Sequence, residues 1–178
     1  MTRVDRTDHG TVFAIHVAPE ASADVRARER VDAVAGRGLR GDRYFAGDGT
    51  YSASARDVSR EITLIESETL AALEREAGIE LPSGAHRRNV TTRGIALERL
   101  VGERFRVGGA VCEGVERCEP CSYLERLLGI DGLYDALVDR GGIRARIVES
   151  GSIAVGDEVA ARDDPTSSST EGSPFREP

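Results

Sequence analysis

The feature that most limits the possible folds is a run of short apolar segments punctuated every few residues by Gly, Pro or Asp. Residues 11–18, 30–35, 60–65, 103–107, 110–115 and 143–148 are β-branched or alternate apolar with polar, as half-buried strands do. Residues 152–160 read as a last strand, and 86–94 contain the start of another. Gly108-Gly109 between two alternating runs signals a hairpin. Helical spacing is confined to 68–77, capped by Ser67 and ended by Gly78, to a turn at 97–101, to the residues up to Gly129, and to 131–139. The connections are too short for repeated βαβ crossovers. The expected fold is therefore mainly β or α+β, a β-barrel with a few inserted short helices. With aromatic residues at 4% and no Trp, its core must come from Val, Ile, Leu and Ala.

At 178 residues the chain is one domain with small additions. Residues 1–10 form a polar extension, 11–162 the domain, and 163–178 a Ser/Pro/Asp/Glu-rich tail expected to be disordered. Residues 45–59 read as an irregular, mobile segment. All 24 basic residues are Arg, so the chain has no Lys amine for a Schiff base and no covalent pyridoxal phosphate is expected. A net charge of -7 argues against nucleic-acid binding. No apolar run reaches membrane-spanning length and no leader-like segment opens the chain, so a cytoplasmic location and no membrane partner are expected. Three cysteines are an odd number, which in a reducing compartment favours thiol chemistry over a disulfide framework.

Three stretches carry candidate chemistry. In Arg117-Cys118-Glu119-Pro120-Cys121, Pro120 suits a first helical turn, which places Cys121 among unsatisfied N–H groups that favour a thiolate. Cys112 lies mid-strand and is expected to be buried and inert, and His16 to be structural. The Gly36, Gly38 and Gly41 loop carries Arg37, Arg40 and Arg43, forked donors suited to phosphate or carboxylate, though its spacing is neither GxGxxG nor a P-loop. A solvated hairpin is the plain alternative. At Arg87-Arg88-Asn89, strand alternation puts Arg87 and Asn89 on one face and Arg88 on the other, an anion clamp or a pair of surface ion pairs. Dithiol exchange by Cys118 and Cys121 is a second reading of the cysteines, and a Cys3His zinc site a third that lacks paired ligand spacing.

In this order, Gly38-Leu39-Arg40-Gly41-Asp42-Arg43-Tyr44, Arg87-Arg88-Asn89-Val90, residues 101–108, Cys118-Glu119-Pro120-Cys121 and Ile153-Ala154-Val155-Gly156-Asp157 closely resemble the MOSC domain, the C-terminal domain of molybdenum cofactor sulfurases. The resemblance runs from about Thr11 to about Ala160. It implies a barrel-like fold and an essential cysteine, here Cys121, that carries sulfur as a persulfide or ligates molybdenum, with Cys118 as its partner. It implies that Arg87, Arg88 and Asn89 contact an anionic molybdenum cofactor (molybdopterin), with Asp42 and Arg43 lining the same cleft. Family members include sulfur-transfer domains, amidoxime-reducing components and proteins that detoxify N-hydroxylated bases. The implied activity is sulfur transfer or molybdenum-dependent reduction of N-hydroxylated compounds, with a cysteine desulfurase or an electron donor as partner. A non-enzymatic module that delivers cofactor or sulfur is the alternative. The desulfurase domain of the full sulfurases and the extra N-terminal barrel of the amidoxime reducers have no counterpart here, so a stand-alone, minimal version is expected.

Overall fold

Alternation of side chains across strands organises the molecule. The computed structural model describes residues 9–20, 24–43, 45, 61–120 and 122–162. Its strands are β1 (His9–Val17), β2 (Arg26–Arg28), β3 (Arg30–Val34), β4 (Gly38–Leu39), β5 (Ile62–Glu66), β6 (Val90–Arg93), β7 (Arg104–Val107), β8 (Ala110–Arg117), β9 (Ile143–Glu149), β10 (Gly151–Ala154) and β11 (Glu158–Ala161). Helices α1 (Ser67–Ala77), α2 (Ser122–Leu128) and α3 (Leu133–Leu137), with a 3₁₀ turn at Leu97–Leu100, are inserted between them. None of these helices is long and apolar enough to cross a membrane.

Seven strands close into a ring in the order β1, β11, β7, β8, β9, β5, β6 and back to β1. All neighbours are antiparallel except β5 and β6. β2 pairs with the end of β1, and β10, β3 and β4 make a small second sheet. Closure removes the exposed sheet edges that an open sheet would leave. The interior is filled by Val12, Ile15, Ile62, Leu64, Val90, Phe105, Val107, Cys112, Ile143, Ala145, Ile147 and Val159. Within β1 the inward residues Val12 and Ile15 are three apart, because a bulge between Val12 and Ala14 shifts the pairing with β6 by one residue.

β5 buries both faces. Ile62 and Leu64 point into the barrel, while Ile65 points out and packs with Leu73 of α1, Leu124 of α2 and Leu133 and Leu137 of α3. The helices thus form a second core on the outer wall, which is why β5 reads as a continuous apolar run broken only by Thr63. α1 ends as its sequence predicts. Gly78 takes φ 66°, its N–H reaches the Glu74 carbonyl, and the Ile79 N–H reaches that of Leu73.

Several sequence expectations need correction. Ser67 is the first helical residue, and Glu66 holds the cap position without a side-chain cap bond. The expected final strand is two: Gly156, at φ 93°, and Asp157 turn the chain, so β10 pairs with β3 while β11 joins β1 and β7. The helix expected at 131–139 is limited to α3, and Asp139 lies beyond it at φ 65°. β1 starts at His9, inside the segment assigned as an extension. The expected mobile segment, apart from Phe45, and the tail at 163–178 lie outside the described residues.

Among the described residues, Phe105 is the largest side chain with no exposed surface. Phe105→Ala is expected to cost about 3–5 kcal/mol of stability, by lost transfer energy plus the cavity left behind. Urea unfolding would register this as a lower midpoint at an unchanged slope.

Candidate functional site

The two Arg/Asn and Cys stretches converge on the outer wall, where β6 begins and β8 ends. The chain enters β6 through two consecutive turns: the Ala85 N–H donates to the Pro82 carbonyl at 3.0 Å and the Arg87 N–H to the Gly84 carbonyl at 2.9 Å. Arg87 has φ 61°, in the left-handed region that a residue with a side chain enters at a cost. Strand pairing starts only at Val90. Alternation therefore does not govern Arg87, Arg88 and Asn89, and the face assignment made from the sequence is corrected on that ground.

Arg88 is the tie between the stretches. Its Nε donates to the Gly141 carbonyl at 2.9 Å and its Nη1 to the His86 carbonyl at 3.1 Å. The neighbouring Gly142 carbonyl accepts the Cys118 N–H at 2.8 Å. The loop from α3 to β9 is thereby pressed between the end of β8 and β5. A Cβ on Gly141 would overlap the Cys118 carbonyl, and one on Gly142, at φ 92°, the Leu64 carbonyl. Only glycine fits at either position, for steric reasons at both and for backbone reasons at Gly142.

Asn89 and Asp42 are brought together in one hydrogen-bond network. Asn89 is buried; its Oδ1 accepts from the Thr63 N–H at 3.1 Å and from Thr63 Oγ1 at 3.2 Å, and its own N–H donates to Thr63 Oγ1 at 3.0 Å. Its Nδ2 donates to the His16 carbonyl at 3.2 Å and to Asp42 Oδ1 at 3.4 Å. Asp42 Oδ1 also accepts the Ala18 N–H at 3.0 Å, and the Arg43 N–H donates to the Ala18 carbonyl at 2.8 Å. This network joins β1, β5, β6 and the loop after β4. Arg37, just before β4, and Arg40, just after it, lie over the Phe45 ring, 4.4 and 5.2 Å from its centroid.

Two histidines complete the site. His86 Nδ1 accepts the Arg88 N–H at 2.9 Å, so its proton sits on Nε2, 3.3 Å from Thr91 Oγ1. Burial, with Arg88 and His16 nearby, pushes its pKa down to about 3, and the ring is neutral. His16 Nε2 lies 3.0 Å from Ser83 Oγ, and burial lowers its pKa also. The rings meet edge-on at 5.7 Å. His86 and Thr63 received no role from the sequence. The one available signal was the offset of two residues between His86 and Arg88, the spacing of an Asx-turn.

Of the cysteines, Cys112 sits mid-strand inside the barrel as expected, its thiol pushed up to about 12 by burial and by Glu61. Cys118 is buried at the end of β8. α2 begins at Ser122, so Pro120 precedes the helix rather than opening it. Cys121 lies outside the described residues. Arg117 is directed at carboxylates, pairing with Glu98 and, at 3.7 Å, with Asp139. Among the described residues no group of three or more His, Cys, Asp or Glu side chains is arranged to hold a metal ion.

The family model described as MOSC domain matches residues 10–160. No curated protein matches the chain. Among solved structures, the YuaD protein from Bacillus subtilis is similar at TM-score 0.71 and 18% identity, over 86% of this chain and 95% of its own. YiiM from Geobacillus stearothermophilus is similar at TM-score 0.63 and 17% identity, over 86% of this chain and 75% of its own. YiiM from Escherichia coli follows at 0.61 and 14%, over 86% and 70%. At these identities the likeness is one of fold.

Because Asn89 satisfies several buried groups at once, Asn89→Ala is expected to destabilise the fold by about 2–4 kcal/mol. Thermal and urea unfolding check this. Cys112 is expected to resist alkylation until the barrel unfolds, which timed iodoacetamide labelling with peptide mapping would follow.

Proposed function

Because the chain belongs to the MOSC domain family, we propose that it binds molybdenum cofactor at the junction of Arg88 and the Cys118–Cys121 turn, or carries sulfur there on Cys121. The observation that carries this reading is the shared Gly141–Gly142 loop, held by Arg88 on one side and by the Cys118 N–H on the other. It sets a permanent cation beside the stretch that begins at Cys118. The donor chemistry fits an anionic pterin phosphate. An Arg side chain has five N–H groups, and two of those on Arg88 are engaged by the carbonyls of Gly141 and His86. Arg87, one residue away, adds a second guanidinium.

In this reading Arg87 and Arg88 hold the phosphate and Cys121 supplies the soft thiolate that suits a molybdenum centre. Asn89 and Asp42 act behind them, fixing the start of β6 and the loop after β4. The bound cofactor would supply the redox chemistry for reduction of an N-hydroxylated compound. In sulfur carriage, the Cys121 thiolate attacks the outer sulfur of a donor persulfide, forming Cys121–S–S⁻ and releasing the donor thiolate. Cys118 is only 4% exposed, which favours Cys121 as the sulfur that meets a donor and weakens the dithiol-exchange reading. The partner is a cysteine desulfurase in the first case of carriage and an electron donor in the case of reduction, both in the cytoplasm.

Two measurements on one set of proteins test this. Intact mass after incubation with a persulfide donor is expected to rise by one sulfur in the unsubstituted protein and in Cys118→Ser, and to stay unchanged in Cys121→Ser. Molybdenum content after expression with cofactor is expected to fall in Arg88→Ala and in Cys121→Ser if the cysteine ligates. A Cys121→Ser protein that keeps both the added sulfur and the metal overturns the reading.

A further inference from the structure

Three of the hydrogen bonds that hold down the segment carrying Arg87 and Arg88 run through imidazole nitrogens. Ser83 Oγ meets His16 Nε2 at 3.0 Å, the Arg88 N–H meets His86 Nδ1 at 2.9 Å, and His86 Nε2 meets Thr91 Oγ1 at 3.3 Å. His86 is 2% exposed and His16 4%. His16 Nδ1 is buried with no hydrogen-bond partner among the described residues. We propose that His86, packed against His16, is an acid-operated catch on residues 82–88, which holds the two arginines in place while its ring is uncharged and releases the segment when His86 takes a proton.

The geometry dictates the direction. His86 already bears hydrogen on Nε2, so the only nitrogen left to accept a proton is Nδ1. A proton there would set two N–H groups head to head and break the bond to Arg88. The left-handed Arg87 would then lose the contact that closes its turn on the far side. The charged and titratable groups facing His86 are Arg88 on its own segment and His16 on β1. β6 faces it with the hydroxyl of Thr91, and Asp42, from the loop after β4, reaches the cluster only through Asn89. Among the described residues no carboxylate pairs with either ring, so a proton would be buried beside a cation without compensation. Opening of the segment returns the ring to water, where it binds a proton near its ordinary value of 6.5. The closed form binds fewer protons than the open one, so closure is complete above that value and is lost progressively as pH falls toward about 3. The catch does not depend on which ligand the arginines serve.

The bond from His86 Nδ1 to the N–H two residues on has the geometry of an Asx-turn. An Asn at 86 can place Oδ1 where Nδ1 stands, and it does not titrate. The test is amide hydrogen exchange by NMR between pH 6 and 4, corrected for the intrinsic pH dependence of exchange. In the unsubstituted protein, protection of the Arg88 amide is expected to fall about tenfold per pH unit below 6, while the core amides of Ile15 and Phe105 stay protected. In His86→Asn the Arg88 amide is expected to keep its protection with no such slope. Should that variant fail to fold, ¹⁵N shifts of His86 in the unsubstituted protein decide the matter. They are expected to show a bare Nδ1 and a protonated Nε2 while the Arg88 amide remains protected. A pH-independent Arg88 amide, a loss of protection shared with the core, the same slope in His86→Asn, or a proton on Nδ1 in the closed form overturns the proposal.

Discussion

Asn89 is where the barrel and the loops around its outer wall are made one body. Its amide accepts twice from Thr63 and donates to the His16 carbonyl and to Asp42, so a single side chain links β5, β1 and the loop after β4 to the start of β6. A buried hydrogen bond between neutral groups contributes only about 1 kcal/mol net, but an orphaned buried group costs about 1–3 kcal/mol. The network therefore acts mainly through the penalty for its absence. Any arrangement of the loops that moves Asp42 or Thr63 away leaves several polar atoms dry and unpaired. This selects one position for the loops where apolar contacts alone would tolerate several.

β5 plays the corresponding part in the packing. A strand in a barrel has one face to bury, yet β5 buries two, because the helices sit on its outer side at Ile65. Two of those helices, α2 and α3, follow Cys118 in the chain. Packing of Leu124, Leu133 and Leu137 against Ile65 therefore fixes where the end of β8 leaves the barrel. Gly142 lets the returning chain pass against the Leu64 carbonyl on its way into β9. The proposed chemistry depends on a seam between two cores, and the seam is narrow enough that two successive glycines are needed to cross it.

Strands with one wet face were legible in the sequence, because a period of two is visible in residues such as Arg104-Phe105-Arg106-Val107 and Ile143-Arg144-Ala145-Arg146-Ile147. The hairpin at Gly108-Gly109 and the end of α1 at Gly78 were legible for the same local reason. What escaped was decided by contacts distant in sequence. Residues 152–160 read as one strand, since nothing local says that β10 belongs to a different sheet from β11. Arg87 escaped because a left-handed Arg breaks the alternation that was used to place it. Asn89 and Asp42 were singled out as polar residues in the right neighbourhood, and they do meet. Their bonds run to each other and to Thr63, Ala18 and the His16 carbonyl, partners that lie 24 to 73 residues away and that no spacing rule connects.

The absence of lysine can be weighed against one position in particular. At residue 88 a side chain must reach the carbonyls of Gly141 and His86 from a half-buried setting beside a buried, neutral His86. A lysine ammonium has three donors on one atom, which cannot serve two separated carbonyls and still face outward, and it tends to give up its proton when desolvated. A guanidinium spreads five donors over a rigid plane and keeps its charge. Two of them brace the loop that carries the Cys118 contact, and the plane still presents N–H groups in other directions. The same atom set that fixes the architecture is in this way the one best suited to meet an anion, so bracing and recognition at Arg88 need not compete.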